Sequence, residues 1–228
     1  EVGPGTGNLT NFILKNKPKK FLVIEKDKDL ALILKKNFKG KLKIINDDIL
    51  KINEKSLSKD KVVVFGNLPY NISTEILCKW ILNLDNSKTW FSSLILMFQK
   101  EVADRIISKY NTSSYGRISV LTNWKLNVKK IIDIKPEAFS PRPKVDSSLL
   151  FFTPKKVFPK LKEPKNLEKI TRIFFNQRRK MIKKPFNQLF NGDQSIIDRL
   201  GINLNLRPQN LDCDMYYKIT NEYENLRS

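Results

Sequence analysis

The segment Val62-Val63-Val64-Phe65-Gly66-Asn67-Leu68-Pro69-Tyr70 decides how this chain is read, because an uninterrupted apolar run ends abruptly in an amide, a proline and an aromatic ring. Val62 to Gly66 has the length and β-branched content of a strand buried on both faces, as in the parallel sheets of α/β folds. Such sheets hold their ligands beyond the carboxyl ends of their strands, which is where Asn67 to Tyr70 falls. Pro69 lacks an N–H and has a fixed φ, so it ends the strand and biases Leu68 toward an extended conformation with its carbonyl directed outward. The Asn67 amide oxygen and the Leu68 carbonyl then make a pair of acceptors suited to the two hydrogens of an exocyclic amine, and Tyr70 offers a face on which a base stacks. A flipped-out adenine requires such contacts. The same four residues also read as an ordinary Asn-x-Pro turn, and the rest of the chain has to choose.

Composition narrows the choice. The chain has 228 residues, 40% of them apolar, enough for one α/β core with a smaller appended module. Its 43 basic and 23 acidic residues leave a net charge of +20, which favours a polyanion such as nucleic acid. The competing explanation is a general bias toward Lys, Asn and Ile, with lysines that only solvate the surface. The absence of histidine excludes His-based acid–base catalysis and His-ligated zinc, and Cys78 and Cys213 lie too far apart for a metal-ligand pair, so no metal site is expected. No stretch has the length of a membrane span and no signal sequence is visible, so a cytoplasmic protein with no membrane partner is expected. The chain opens at Glu1, without methionine, inside what reads as a strand end, so the natural N-terminus is expected to lie upstream.

The first ten residues, Glu1-Val2-Gly3-Pro4-Gly5-Thr6-Gly7-Asn8-Leu9-Thr10, read as a ligand loop leading into a helix. Its Gly-x-Gly-x-Gly spacing differs from the pyrophosphate-binding Gly-x-Gly-x-x-Gly, and Glu1 suits an ammonium group better than a pyrophosphate. The charge therefore tilts the loop toward S-adenosylmethionine. Phe21-Leu22-Val23-Ile24-Glu25 is a strand closed by an acid, where doubly wound folds place a carboxylate that accepts from both ribose hydroxyls, although a charged residue also simply closes strands. Leu42 to Ile45 reads as the next strand and runs into Asn46-Asp47-Asp48-Ile49, where a carboxylate can accept from an adenine amine while Ile49 covers the ring. Either aspartate also reads as a helix cap.

Farther on, Ser73 or Thr74 is expected to cap a helix through Ile81, Ser93 to Phe98 reads as a buried strand, and Gln99 to Ser108 as an amphipathic helix. A polar loop at 109–116 precedes a helix with Val120, Leu121 and Trp124, and Val128 to Ile134 and Ser147 to Thr153 read as paired strands. The connector between them, Phe139-Ser140-Pro141-Arg142-Pro143, leaves Phe139 either facing Tyr70 across a pocket or serving as a core aromatic.

The motifs Glu-Val-Gly-Pro-Gly-Thr-Gly-Asn-Leu-Thr, Val-Ile-Glu-Lys-Asp, Phe-Gly-Asn-Leu-Pro-Tyr-Asn-Ile-Ser-Thr, Gln-Lys-Glu-Val-Ala-Asp-Arg, Tyr-Gly-Arg-Ile-Ser-Val and Pro-Arg-Pro-Lys-Val-Asp-Ser occur in the order seen in the rRNA adenine dimethyltransferases. The chain resembles that family nearly end to end and is most similar to its bacterial small-subunit members, since Phe175 to Lys180 and Arg207 to Leu211 look like their C-terminal helical domain. The resemblance implies a class I S-adenosylmethionine-dependent methyltransferase, a Rossmann-like, mostly parallel doubly wound sheet, followed by a small helical domain. Residue by residue, it implies that Gly3, Glu25, Asp48 and Asn67 contact S-adenosylmethionine, with Glu1, Gly5 and Ile49 completing the shell. It places the target adenine against Asn67, the Leu68 carbonyl, Tyr70 and Phe139. The family's upstream Gln-Asn-Phe segment, which closes over the cofactor, has no counterpart here.

The expected reaction is dimethylation of two adjacent adenines in the 3′-terminal hairpin of small-subunit rRNA, by a monomer working on an assembling subunit. Two other readings fit the same family: a resistance-conferring large-subunit enzyme, which usually carries Asn-Ile-Pro-Tyr, and a nucleic-acid-binding factor whose methylation is dispensable. Sequence boundaries are expected at 1–154 for the catalytic domain, 155–165 for a Pro/Lys-rich linker and 166–228 for a helical RNA-binding domain. In the latter, Arg172, Arg178, Arg179, Lys180, Lys183 and Lys184 are expected to face phosphate, over a core containing Phe174, Phe175 and Phe186, although a merely solvated basic helix fits the same residues.

Overall fold

The computed structural model describes residues 1–85 and 89–227. Strands β1 (Leu22–Glu25), β2 (Lys43–Asn46), β3 (Val62–Gly66), β4 (Phe91–Gln99), β5 (Leu126–Ile134) and β6 (Ser147–Pro154) alternate in their first half with helices α1 (Asn8–Lys15), α2 (Lys28–Asn37) and α3 (Tyr70–Leu82). β1 pairs with β2 in parallel, and β3 is parallel to β4 in a four-stranded sheet ordered β3-β4-β6-β5. Val2 joins the two sheets by bridging in parallel to Ile24 of β1 on one side and Gly66 of β3 on the other. Its N–H donates to the Phe65 carbonyl at 2.9 Å, and the Gly3 N–H donates to the Ile24 carbonyl at 2.9 Å. The continuous order is thus β2-β1-Val2-β3-β4-β6-β5, with β6 antiparallel to β4. This is the mostly parallel, doubly wound α/β sheet expected from the sequence, with β6 reversed against β4.

Packing divides the chain into two compact units. The first takes Glu1–Lys79, Ser87–Ala103 and Lys129–Pro154, and the second takes Trp80–Asn86, Asp104–Val128 and Lys155–Ser228. The sequence division at 154 and 166 differs from this. The second unit also includes α5 (Arg117–Lys125), which packs on α6 (Pro164–Phe175) and α9 (Cys213–Asn225). Residues 155–165 are packed rather than free: the Lys155 N–H donates to the Lys125 carbonyl at 2.8 Å, the Pro159 carbonyl accepts from Trp124 Nε1 at 2.8 Å, and Phe158 is buried. Both oxygens of the buried Glu224 carboxylate bind the start of α6, accepting from the Lys162 N–H at 2.8 Å, the Glu163 N–H at 2.9 Å and Asn166 Nδ2 at 3.0 Å. Phe174 and Phe186 are in the core as expected, with Phe175 half-buried and stacked on Tyr216 at 5.5 Å. Lys125, 2% exposed, lies 3.9 Å from the Trp124 ring and donates to the Leu82 and Leu84 carbonyls.

One expected cap is displaced. α3 starts at Tyr70, because the Pro69 carbonyl already accepts from the Ile72 and Ser73 N–H groups at 3.1 Å. Ser73 therefore lies inside the helix, buried, with its hydroxyl turned back to the Tyr70 carbonyl at 3.1 Å.

Candidate active site

The carboxyl ends of β1, Val2 and β3 are brought side by side by the parallel pairing, and β2 adds Asn46 opposite Glu25. Four expected ligand positions thereby reach one edge of the first unit: the glycine loop, Glu25, the Asp47–Ile49 turn and Asn67. The loop approaches Asn67 directly, since a Cβ built on Gly3 would lie 3.9 Å from the Asn67 carbonyl oxygen and 4.0 Å from Pro69 Cδ. Gly3, at φ +66, occupies the left-handed region that side chains avoid. Farther along the loop Gly7 combines φ +92 with a Cβ position 2.9 Å from Phe38 Cζ and 3.1 Å from Leu34 Cδ2, so only glycine lets α1 begin there.

Glu25 is 7% exposed, and each of its oxygens accepts one backbone N–H, Oε2 from Gly5 at 3.1 Å and Oε1 from Asp27 at 3.0 Å. Gly5 thus uses its amide to fix the acid rather than to meet a ligand directly. Each oxygen keeps a second lone pair, so the pinned carboxylate can still accept two hydroxyls. Asp48 sits in a turn and caps no helix, contrary to the alternative sequence reading, because the chain does not become helical after it. Oδ1 accepts from the Leu50 N–H at 3.0 Å in a turn, while Oδ2 pairs with Lys26 Nζ at 2.9 Å. The Lys26 ammonium and the Leu50 N–H hold the Asp48 carboxyl below its ordinary range. Lys26 is 73% exposed, and such a surface pair yields easily to a ligand. Ile49 is buried, and its carbonyl accepts from Lys79 Nζ at 2.6 Å. Glu1 accepts from the Thr10 hydroxyl at 2.6 Å, and burial raises its pKa against the opposing effect of that hydrogen bond.

At the end of β3, Leu68 is buried while Asn67 is exposed, and neither the Asn67 side-chain amide nor the Leu68 carbonyl has a hydrogen-bond partner among the described residues. Tyr70 is half-buried, and its hydroxyl is 2.6 Å from Oγ of Ser147, the fully buried first residue of β6. Sequence reasoning had not singled out Ser147. Its only signal is a position opening a strand in the Val-Asp-Ser motif. Phe139 is half-buried and follows the 3₁₀ turn Pro136–Ala138 beyond β5, with its N–H on the Pro136 carbonyl at 3.2 Å.

In the second unit the expected RNA-facing cations separate. Arg172, Arg179, Lys180 and Lys183 are exposed. Arg178 is half-buried and turned inward, its guanidinium donating to the Thr112 and Ser113 carbonyls, so it braces the 109–116 loop.

A doubly wound sheet with a glycine loop and three acids along its carboxyl edge, beside an open pair of acceptors, defines a class I methyltransferase. These acids fit S-adenosylmethionine, which presents ribose hydroxyls, an amine and a cationic amino acid end. The ribosomal RNA adenine dimethylase family model matches residues 1–225, and the chain belongs to that family. It is 68% identical over 227 residues to ribosomal RNA small subunit methyltransferase A of Pelagibacter ubique, covering the whole of this chain and 86% of that one. It is 44% identical to the protein of the same name from Ehrlichia ruminantium, covering 97% of this chain and 84% of that one. The fold matches the crystal structure of a dimethyladenosine transferase from Plasmodium falciparum with a TM-score of 0.75 at 24% identity, over 98% of this chain and 88% of that one. It matches the 23S rRNA methyltransferase ErmE with a TM-score of 0.64 at 20% identity, over 100% and 89%. Among the described residues no helix is long and apolar enough to cross a membrane.

Proposed function

We propose that this chain transfers methyl groups from S-adenosylmethionine to the N6 atoms of two adjacent adenines in the 3′-terminal hairpin of small-subunit rRNA, on an assembling subunit. The observation that carries the reading is the pair of unpartnered acceptors, Asn67 Oδ1 and the Leu68 carbonyl, at the end of β3 beside the glycine loop. The names of the relatives, which specify the small subunit, support the choice of RNA.

Bound S-adenosylmethionine supplies a methyl group on a positively charged sulfur. Glu25 would hold its ribose, Asp48 its adenine amine in place of Lys26, Ile49 its ring and Glu1 its ammonium group. Asn67 and Leu68 accept the two hydrogens of the target N6, which favours a pyramidal nitrogen and stabilises the positive charge that develops as the N–CH₃ bond forms and the S–CH₃ bond breaks. Tyr70 and Phe139 fix the ring's angle of approach. The alkylated nitrogen is acidic and passes its proton to water, so no histidine is needed. A second cycle gives the dimethylated base.

The test is transfer of labelled methyl to undermethylated small and large subunits, with Asn67→Ala beside the unaltered chain. Dimethyladenine on the small subunit alone, lost in Asn67→Ala, is expected. Label on the large subunit, or tight RNA binding without transfer to either, overturns the proposal.

A further inference from the structure

A recess in the second unit between α6 and α7 (Lys183–Phe190) has a volume of about 270 Å³. Its walls are two pairs at helical i, i+4 spacing, Arg172 with Asn176 and Lys184 with Gln188, together with Gln177, and Ile173 and the buried Pro185 supply apolar surface. No acid lines it. None of the five polar side chains has a hydrogen bond or ion pair among the described residues, in a unit where Asn166, Lys169, Arg178 and Arg199 are all engaged.

We propose that this recess holds one unstacked nucleotide of the RNA, a contact separate from the target adenine. This deepens the proposed function, since it rests on RNA being the partner. Arg172 and Lys184 supply two positive charges for a phosphate, the arrangement that gives nucleic-acid binding its salt dependence. A phosphate alone needs no amides. Asn176 and Gln188 each carry both a donor and an acceptor, the pattern that reads a base edge, and single-stranded RNA is recognised in this way with its bases splayed out. Ile173 and Pro185 give the base a surface to lie on. The volume is just below the range of about 300–1,000 Å³ typical of small-molecule pockets, a size for one nucleotide rather than a folded segment.

The amides separate this proposal from a diffuse basic surface, because removing a neutral side chain leaves the electrostatic term untouched. The full chain is titrated with a mixed-sequence single-stranded oligoribonucleotide, and with its duplex, over a series of salt concentrations. Asn176→Ala/Gln188→Ala is expected to weaken single-strand binding by about fivefold or more with an unchanged salt slope. Lys184→Gln is expected to weaken it with a slope lower by about 0.7, one single-strand phosphate contact. Lys218→Gln, an exposed lysine of α9 away from the recess, controls for general charge, and thermal unfolding controls for folding. Amide variants that bind within twofold of the unaltered chain overturn the proposal, as does equal dependence on the amides for single strand and duplex. Methyl transfer is not part of this readout. Failure of the proposed function leaves the binding signature in place without transfer, whereas failure of the recess leaves transfer in place with silent amides.

Discussion

Replacing Ser147 by alanine tests whether the Tyr70 ring is held in place for chemistry. The two hydroxyls lie 2.6 Å apart, with Ser147 fully buried and Tyr70 half-buried. A typical hydrogen bond of this kind contributes about 0.5–1.5 kcal/mol net, and a buried hydroxyl left without its partner costs about 1–3 kcal/mol. Tyr70 is only half-buried, so its cost on Ser147→Ala falls between these ranges, and kcat/KM is expected to fall by about 5–30-fold, the equivalent of roughly 1–2 kcal/mol. Because the bond orients the stacking face for the reacting base, most of the loss should appear in kcat rather than in KM. Tyr70→Phe keeps the ring and should lose less, since the small serine hydroxyl can rotate to another acceptor. The double variant should be little worse than Ser147→Ala alone, with a coupling energy of about 1 kcal/mol. The assay is steady-state methyl transfer to undermethylated small subunits for all four proteins, beside thermal unfolding of each. Single-variant losses that simply multiply in the double variant, or a drop in stability with unchanged kcat, would refute the positioning role.

Three further outcomes follow from named contacts. Glu25→Gln exchanges an acceptor pair for one acceptor and one amino group facing the Gly5 or Asp27 N–H, and calorimetry should show S-adenosylmethionine affinity reduced at least about tenfold. Gly7→Ala combines left-handed strain with overpacking against Phe38 and Leu34, and denaturant unfolding should show a loss of about 2–5 kcal/mol. Asp133 is held down to about 2 from its ordinary 3.8, first by the Ser148 hydroxyl and then by Lys100, so its stabilisation is complete above its ordinary pKa and is lost as pH falls toward about 2. Ser148→Ala should narrow the stability difference between pH 5 and pH 2.5 in urea titrations, and an unchanged difference would discount the contact.

What was legible in the sequence was local. The run Val62 to Gly66, the acid closing β1 and the proline after Leu68 mark strand ends by their own chemistry, and parallel pairing then puts those ends together. Long-range choices left no such mark. Whether Ser73 or the Pro69 carbonyl starts α3 depends on which acceptor the first-turn N–H groups reach, and both were available by composition. Arg178 and Arg179 look alike in sequence, yet one braces the 109–116 loop and the other meets solvent. The residues 155–165 look like a linker from their prolines and lysines, and it is contacts distant in sequence, to the Lys125 carbonyl, the Trp124 indole and the Glu224 carboxylate, that make them part of a packed unit. At the site, the acids were readable but their restraints were not. The Gly5 and Asp27 amides on Glu25, and the serine behind Tyr70, are properties of the folded chain.

Lys79 gives the site a further property. From the middle of α3 its ammonium reaches the Ile49 carbonyl and Glu54 Oε1 at 2.6 Å each, and it also binds the Ile52 carbonyl. The same helix begins with Tyr70, so the wall proposed for the methyl donor and the wall proposed for the RNA base are fastened to one rod. Any order that one ligand imposes on this rod is shared by both walls, and linkage makes such help mutual: a donor that tightens RNA binding by some factor is itself bound more tightly by the same factor.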